Sequence, residues 1–341
     1  MQTPRESLES LLCGNDLSEQ GAGELMQWLA EGEGHPALAG GLLAALRAKG
    51  VTAGEVRGFA GAMRSLARRP GLAAGLDAID LVGTGGDGSG SLNLSTGAAL
   101  LTAACGMPVI KHGNRSVSSR CGSADLIEQL GLKLPLNEEA AARCFEASGF
   151  TFLFAPYYHP AMKALVPIRA ALAVRTVFNL LGPLTNPAAP RYQLIGAYDM
   201  AAAQLIAATL SGMQLARAWV VHGAAGWDEA TPIGPFAVFD VTPGNVRPMD
   251  IDPASLGLAR CSAADLAGGD ASTNAAALRA VFARVDRGAH RSALALQAGI
   301  ALHIAGRAAT VADGVALALA AIDSGRAQRW LDKLAKWGAA A

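Results

Sequence analysis

Apolar positions in the first part of the chain recur at helical spacing. Leu8, Leu11 and Leu12 share one face, as do Leu25, Trp28 and Leu29, and again Leu38, Leu42 and Leu46. Thr52 and Glu55 have the spacing of a capping box ahead of Val56, Phe59, Met63 and Leu66. Pro70 and Gly71 then close the region. The pattern predicts a helical domain over residues 1–75. Arg64, Arg68 and Arg69 read as a solvated helix face.

From about residue 77 the period changes. Ala78 to Val82 forms a short apolar run that enters a cluster of glycines, and a helix is expected from Ser95 to Cys105. Val109-Ile110 is a second run, followed by a polar loop and a helix carrying Leu126, Ile127 and Leu130. Thr151 to Phe154, Gln193 to Tyr198 and Ala218 to Val221 are further strands with helical stretches between them, and after Thr273 the chain is Ala-rich and helical. Strands alternating with helices predict an α/β domain over 76–341, with a mostly parallel sheet flanked by helices. Ligands of such sheets sit at the carboxyl ends of strands, and here the polar motifs follow strand ends.

Composition narrows the class. The chain has 341 residues, 51% hydrophobic and 16% charged, with 28 basic against 28 acidic side chains. That length exceeds the roughly 250–300 residues at which single cores stop growing, which favours a large domain plus a smaller one. Zero net charge speaks against a general nucleic-acid binder. Five cysteines, odd in number and without a C-x-x-C pair, fit buried reduced thiols rather than disulfides or zinc. The start of the chain lacks an apolar leader, and Gln204, Ser211 and Gln214 interrupt the most membrane-like stretch. The expectation is a soluble, cytoplasmic protein with no membrane or nucleic-acid partner.

Two segments carry candidate chemistry. The first is Gly83-Thr84-Gly85-Gly86-Asp87-Gly88, then Ser91-Leu92-Asn93-Leu94-Ser95-Thr96. Glycines let backbone N–H groups approach a phosphate, and Ser95 and Thr96 can cap a helix whose N-terminus attracts anions. The literal G-x-G-x-x-G is a weak dinucleotide signal, because the helix opens later and the next strand ends in Lys111-His112 rather than in an acid. A glycine-rich turn without a ligand stays open for this segment alone. The second segment runs from Lys111 to Asp125, with cations, hydroxyls and glycines between a strand and a helix. Surface charge is the alternative for Lys111 and Arg115, and a satisfied loop histidine for His112. Two oxyanion loops at adjacent strand ends suggest a ligand phosphorylated at two ends.

These segments resemble the G-T-G-G-D, N-x-S-T and K-H-G-N-R-x-x-S-S motifs of the anthranilate phosphoribosyltransferase family. The resemblance continues through Phe154-Ala155-Pro156, through residues 159–163 and 175–187, and through Val221-His222-Gly223 to Asp228-Glu229. It implies transfer of the phosphoribosyl group of 5-phosphoribosyl 1-diphosphate to the amino group of anthranilate, with release of diphosphate, in tryptophan biosynthesis. It also implies the family's fold, a small helical domain with helices from about 163–190 returning to it, and a homodimer formed through the helical domain.

The resemblance implies a donor site made of Gly83, Gly86, Asp87, Ser91, Asn93, Leu94, Ser95, Thr96, Lys111, His112, Gly113, Asn114, Arg115, Ser116, Val117, Ser118, Ser119 and Ser123. It implies Mg²⁺, two ions, held by Ser95, Asp228 and Glu229, and an anthranilate site made of Gly83, Asn114 and Arg169. Hard carboxylates sharing a diphosphate suit Mg²⁺, and an Arg fork suits a planar carboxylate. Read alone, Asp228-Glu229 would be solvated surface and Arg169 a helix-surface cation. His159 reads as structural. No nucleophile or triad is evident, which suits a ribosyl centre that develops oxocarbenium-like charge. The chain departs from the family at Leu92 and Leu94, where Phe and Ile are usual, at Ala173, often Gly, and at Ala230-Thr231-Pro232. A pyrimidine nucleoside phosphorylase, with a similar K-H-G loop, is the nearest rival. A nucleic-acid-binding homologue without the acidic pair is the third reading.

Overall fold

The computed structural model describes residues 2–73, 75–116 and 120–340. Four helices open the chain: α1 (Pro4–Leu12), α2 (Glu19–Glu31), α3 (Pro36–Lys49) and α4 (Ala53–Leu66). Thr52 Oγ1 accepts from the Glu55 N–H (3.3 Å) and Glu55 Oε2 from the Thr52 N–H (2.8 Å), so the expected capping box forms. The same Glu55 is buried and also accepts the Leu17 N–H and an ion pair from Lys49, which staples α4 to the preceding turns.

The rest alternates. β1 (Ile79–Gly83), α5 (Leu94–Ala104), β2 (Val109–Gly113), α6 (Ser123–Gln129), α7 (Glu138–Ser148) and β3 (Phe150–Phe154) come first. Then follow the short helices α8 (Ala155–Tyr158), α9 (Val166–Leu172) and α10 (Phe178–Leu181). The chain returns as β4 (Tyr192–Gly196), α11 (Met200–Ser211), β5 (Arg217–His222), β6 (Phe236–Thr242) and β7 (Asn245–Ile251). It ends in α12 (Ala271–Phe282), α13 (Ala289–Ile304), α14 (Val311–Asp323) and α15 (Arg326–Ala340).

One sheet runs in the order β3-β2-β1-β4-β5-β6-β7, parallel from β3 to β5 and antiparallel beyond it. The β6–β7 hairpin was not anticipated by periodicity. Its signal lay in Pro243-Gly244 between two alternating runs, with Gly244 at φ +72°. β1, β2 and β3 step outward to one side, and β4 then starts again on the other side of β1. The β1/β4 seam is therefore the point where strand order reverses, and β1 pairs β4 from Ile79↔Tyr192 to Gly83↔Gly196.

Strand alternation feeds two cores. Leu81, Leu194, Trp219, Val221 and Val238 join the core that includes α5, α6 and α12–α15 residues. Ile195, Ala218, Val220, Phe239 and Val241 join the other, with α1–α4 and α11. Leu165, Val177, Phe178, Leu180 and Leu181 lie in this second core, so residues of the connection between β3 and β4 pack with the N-terminal helices. Among the described residues no helix is long and apolar enough to cross a membrane.

Candidate active site

The ends of β1, β2, β4 and β5 meet at one edge of the sheet, and the seam between β1 and β4 is closed by the turn after β5. That turn brings Asp228 so close that a Cβ at Gly83 would overlap its Oδ2, and a Cβ at Gly196 its carbonyl. These two glycines are needed where they stand because a backbone carrying acids passes directly over them. Asp228 Oδ2 accepts the Gly85 N–H at 2.5 Å, and Asp87 Oδ2 accepts the Asp228 N–H at 3.2 Å. Glu229 Oε1 accepts the Ser95 N–H at 3.2 Å, a free donor in the first turn of α5. The acidic pair is thus clasped between the glycine loop and a helix N-terminus. The departing sequence Ala230-Thr231-Pro232 is packed inward, and Gln297 Nε2 donates to the Ala230 carbonyl (3.3 Å).

Burial is the largest influence on both acids and raises both pKa values. The Asp87 charge raises Asp228 further, and the Asp228 charge raises Glu229 further. Among the described residues no three His, Cys, Asp or Glu side chains are gathered closely enough to hold a metal ion by themselves.

α5 begins at Leu94, one residue ahead of the expected Ser95, so Ser95 and Thr96 lie inside its first turn. Asn93 is the N-cap residue, yet its side chain makes no capping bond. Its Nδ2 donates instead to the Cys121 carbonyl at 2.9 Å, tying the glycine segment to the Lys111–Asp125 segment. Ser91 Oγ lies 3.3 Å from Ser89 Oγ, and Asp87 Oδ1 accepts from the Ser89 N–H and Oγ. Leu92 and Leu94 are core residues, which accounts for apolar side chains there.

Two placements in the second segment and one on α4 differ from expectation. Lys111 does not project toward the loops. Its Nζ is buried and donates to the Leu81 carbonyl, with the Asp80 and Glu229 charges nearby and burial lowering its pKa. Arg115 is committed to Asp125 (2.7 Å) and Glu128 (2.5 Å) rather than open to a phosphate. Arg64 is not on a solvated face. Its Nε is buried without a hydrogen-bond partner among the described residues, and burial lowers its pKa to about 10. The reason is tertiary, since the end of α4 meets His112 and His159, whose pKa values it helps depress.

His112 and His159 stack edge-on with ring centroids 5.1 Å apart. The Gly182 carbonyl lies 3.3 Å from His112 Nδ1, and the Nε2 atoms of both rings are buried without hydrogen-bond partners among the described residues. Burial, first among the causes, holds His112 at a pKa of about 3 and His159 at about 4, so both are neutral in ordinary buffers. Beneath them, buried Asn186 donates to Asp80 Oδ2 (2.9 Å) and the Ile110 carbonyl (2.8 Å), while burial raises Asp80 to about 6. Gly113 abuts the Ser123 hydroxyl, which donates to the Asn114 carbonyl at 3.1 Å. The Ser116 N–H lies 3.4 Å from Asp125 Oδ2. Cys121 is buried with its thiol pushed up to about 11 by burial, which removes it as a nucleophile. Val117, Ser118 and Ser119 lie outside the described residues.

Arg169 stands on α9, partly buried, with its guanidinium 5.3 Å from the Phe178 ring centroid and no hydrogen bond to another described residue. Asn114 is exposed, its Oδ1 accepting the Arg115 N–H at 2.7 Å. Sequence reasoning missed Arg175, which donates to the Gly86 carbonyl (2.5 Å), lies 3.9 Å over the Tyr198 ring and has its own carbonyl held by Arg47 of α3. It also missed Gln297 and Asn274. Their only signal was a polar side chain inside an otherwise apolar helical face.

Residues 5–67 match the helical bundle domain of the glycosyl transferase family, and residues 75–328 match its a/b domain. Anthranilate phosphoribosyltransferase of Desulforudis audaxviator is 45% identical over 330 residues, 97% of this chain and 95% of its own. That of Rubrobacter xylanophilus is 43% identical over 332 residues, 97% of this chain and 96% of its own. The chain belongs to the anthranilate phosphoribosyltransferase family. The crystal structure of anthranilate phosphoribosyltransferase from Thermus thermophilus superposes with a TM-score of 0.90 at 41% identity, covering 97% of this chain and 98% of that one. The Saccharomyces cerevisiae anthranilate phosphoribosyltransferase in complex with PRPP and Mg shares the fold, with a TM-score of 0.88 at 24% identity over 99% of this chain and 98% of that one. The anthranilate phosphoribosyltransferase motifs of this chain thus stand on a fold of the same kind, at the reversal point of its sheet.

Proposed function

We propose that this chain transfers the phosphoribosyl group of 5-phosphoribosyl 1-diphosphate to the amino group of anthranilate, giving N-(5-phosphoribosyl)anthranilate and diphosphate. The observation that carries the reading is the acidic pair Asp228-Glu229, clasped by Gly85 and Ser95 over Gly83 and Gly196 at the β1/β4 seam. Family membership supplies the identity of donor and acceptor.

The residues fit Mg²⁺. Two adjacent acids, both driven toward the neutral form by burial, with Asp87 acting on Asp228 and Asp228 on Glu229, favour a small hard cation beside them. Too few protein ligands are gathered among the described residues for a complete cage, which suits an ion that keeps waters and shares substrate phosphates. Asp228, Glu229 and the Ser95 hydroxyl would hold it, and when bound it offsets the charge growing on the departing diphosphate. Gly83, Gly86, Asp87, Ser91, Asn93, Leu94 and Thr96 line the donor from one loop. On the family pattern His112, Gly113, Asn114, Ser116, Val117, Ser118, Ser119 and Ser123 belong to the other donor loop, and Arg115, paired with Asp125 and Glu128, braces it. Lys111 acts from beneath, as buried positive charge between Asp80 and Glu229. Arg169, whose guanidinium has no hydrogen-bond partner among the described residues, takes the anthranilate carboxylate, with Asn114 and Gly83 beside the ring. Neutral His112 and His159 keep positive charge away from the oxocarbenium-like centre. Two Mg²⁺ ions, a homodimer through the N-terminal helices and a cytoplasmic setting belong to the same proposal and rest on family membership.

The test is loss of anthranilate fluorescence with 5-phosphoribosyl 1-diphosphate and Mg²⁺, with uridine plus phosphate as the control. Consumption only in the first mixture is expected. Turnover of uridine instead would make the chain a nucleoside phosphorylase. The double variant Asp228→Ala/Glu229→Ala should need far more Mg²⁺ for half-maximal rate while keeping its circular dichroism. An unchanged Mg²⁺ curve removes the pair from the site.

A further inference from the structure

We infer that Asn274, which lies outside both phosphate loops, is a positioning residue that fixes the amide of Asn93 for the phosphoribosyl donor. The inference rests on the proposed reading of Asn93 as a donor ligand and adds the device that orients it.

A primary amide can present either end, and only its partners decide which. Here the partners leave one solution. The Gly269 backbone N–H can only donate, and it meets Asn274 Oδ1 at 2.7 Å. Asn274 must therefore turn Nδ2 the other way, where it donates to Asn93 Oδ1 at 2.9 Å. Asn93 in turn presents Nδ2 to the Cys121 carbonyl at 2.9 Å, and a carbonyl can only accept. The chain Gly269–Asn274–Asn93–Cys121 has a backbone donor at one end and a backbone acceptor at the other, so its polarity is set throughout. Asn274 is 2% exposed, which keeps water from competing for these bonds.

The chain spans both loops. Asn93 precedes α5 in the glycine segment, and Cys121 belongs to the segment that begins at Lys111. One N–H of Asn93 Nδ2 is used on Cys121, which leaves the second for an oxygen of the donor. Without Asn274 the Asn93 oxygen loses its donor and the Cys121 carbonyl alone orients the amide, so its second N–H is held less firmly toward the donor. The segment before Asn274 lies along the same loop. The Leu92 N–H donates to the Leu266 carbonyl and the Gly268 N–H to the Gly90 carbonyl, both at 2.9 Å. A Cβ at Gly268 would overlap the Ser91 carbonyl, so that strap admits only glycine. Residues 266–274 thus hold the loop's backbone, and Asn274 holds its functional side chain.

The experiment is a double-mutant cycle in the full-length enzyme, with Asn274→Ala, Asn93→Ala and the double variant assayed for both substrates. Asn274→Ala is expected to raise the donor KM about tenfold, while the anthranilate KM at saturating donor stays within twofold. Because Asn274 acts through Asn93, the double variant should have the donor KM of Asn93→Ala alone. Multiplying effects, or equal rises in both KM values, overturn the inference, since a merely structural role would produce them. Asn274→Asp is the second variant. It keeps the acceptor for Gly269 and loses the donor to Asn93. It should lose most of the rise in thermal midpoint that donor plus Mg²⁺ gives the unsubstituted enzyme, and an undiminished rise overturns the inference. An unsubstituted enzyme that neither binds the donor nor consumes anthranilate sinks the functional reading itself. An active one whose Asn274 variants behave identically sinks only the role of Asn274.

Discussion

Arg169 is partly buried and has no hydrogen-bond partner among the described residues, so it has lost hydration with little compensation. Its ring neighbour Phe178 supplies a cation–π contact but no acceptor. A carboxylate arriving there would make a charge-assisted pair of about 1.5–3 kcal/mol. Arg169→Ala should therefore raise the anthranilate KM about ten- to a hundredfold and leave the donor KM nearly unchanged, with Arg169→Lys recovering part of the loss. Titrating each substrate at saturating levels of the other decides it. A larger rise for the donor would place Arg169 in the phosphate site. Gly83 was legible in the motif because close backbone approach demands glycine, and there the Asp228 carboxylate passes directly over it. Arg64 and Lys111 were not, because their surroundings come from elsewhere in the chain. Arg64 looks like its exposed neighbours Arg68 and Arg69 until the fold brings His112 and His159 to the end of α4.

Among elements, α9 shows how a local conformation imposes a cost. It ends at Ala173 with φ 50° and ψ 26°, the left-handed region, and the Ala173 N–H closes on the Arg169 carbonyl at 3.1 Å. A Cβ there costs about 1–2 kcal/mol, partly offset because glycine loses more freedom on folding. Ala173→Gly should stabilise the protein by about 0.5–1 kcal/mol, read as a higher thermal midpoint. A lower midpoint would mean that the left-handed turn is not what the alanine opposes. The alternation of apolar runs with helical stretches located all five parallel strands, four of them to within two residues, while β2 runs three residues past the expected Val109-Ile110 because Lys111, His112 and Gly113 lack the apolar signal. The β6–β7 hairpin escaped because β7 is half exposed and carries Arg247, Pro248 and Asp250, which mute the strand signal. The strap from 266 to 274 escaped for another reason. Its contacts with residues 90–93 are set by tertiary packing, and nothing in its local sequence encodes them.

For the whole molecule, the two buried imidazoles set a pH dependence with a definite sign. In the fold His112 and His159 stay neutral down to about 3 and about 4, whereas in the unfolded chain a histidine protonates below about 6.5. The unfolded state thus binds more protons as pH falls, so stability is intact above that range and is lost from about pH 6.5 downward. Each histidine contributes a slope of about 1.4 kcal/mol per pH unit there. His159→Gln should flatten the acid limb of the stability curve by about that slope, measured by urea unfolding between about pH 4.5 and about pH 6.5. The raised carboxyls Asp80, Asp228 and Glu229 have the opposite sign but are common to both proteins and cancel in the difference. A parallel pair of curves would mean that His159 is not desolvated. One feature on the far side of the sheet reaches beyond the single chain. β7 ends the sheet with a proline and charged side chains on a half-exposed strand. Such a border offers a poor template for another strand, so neighbouring copies in a crowded cell are kept from joining edge to edge into a growing ribbon.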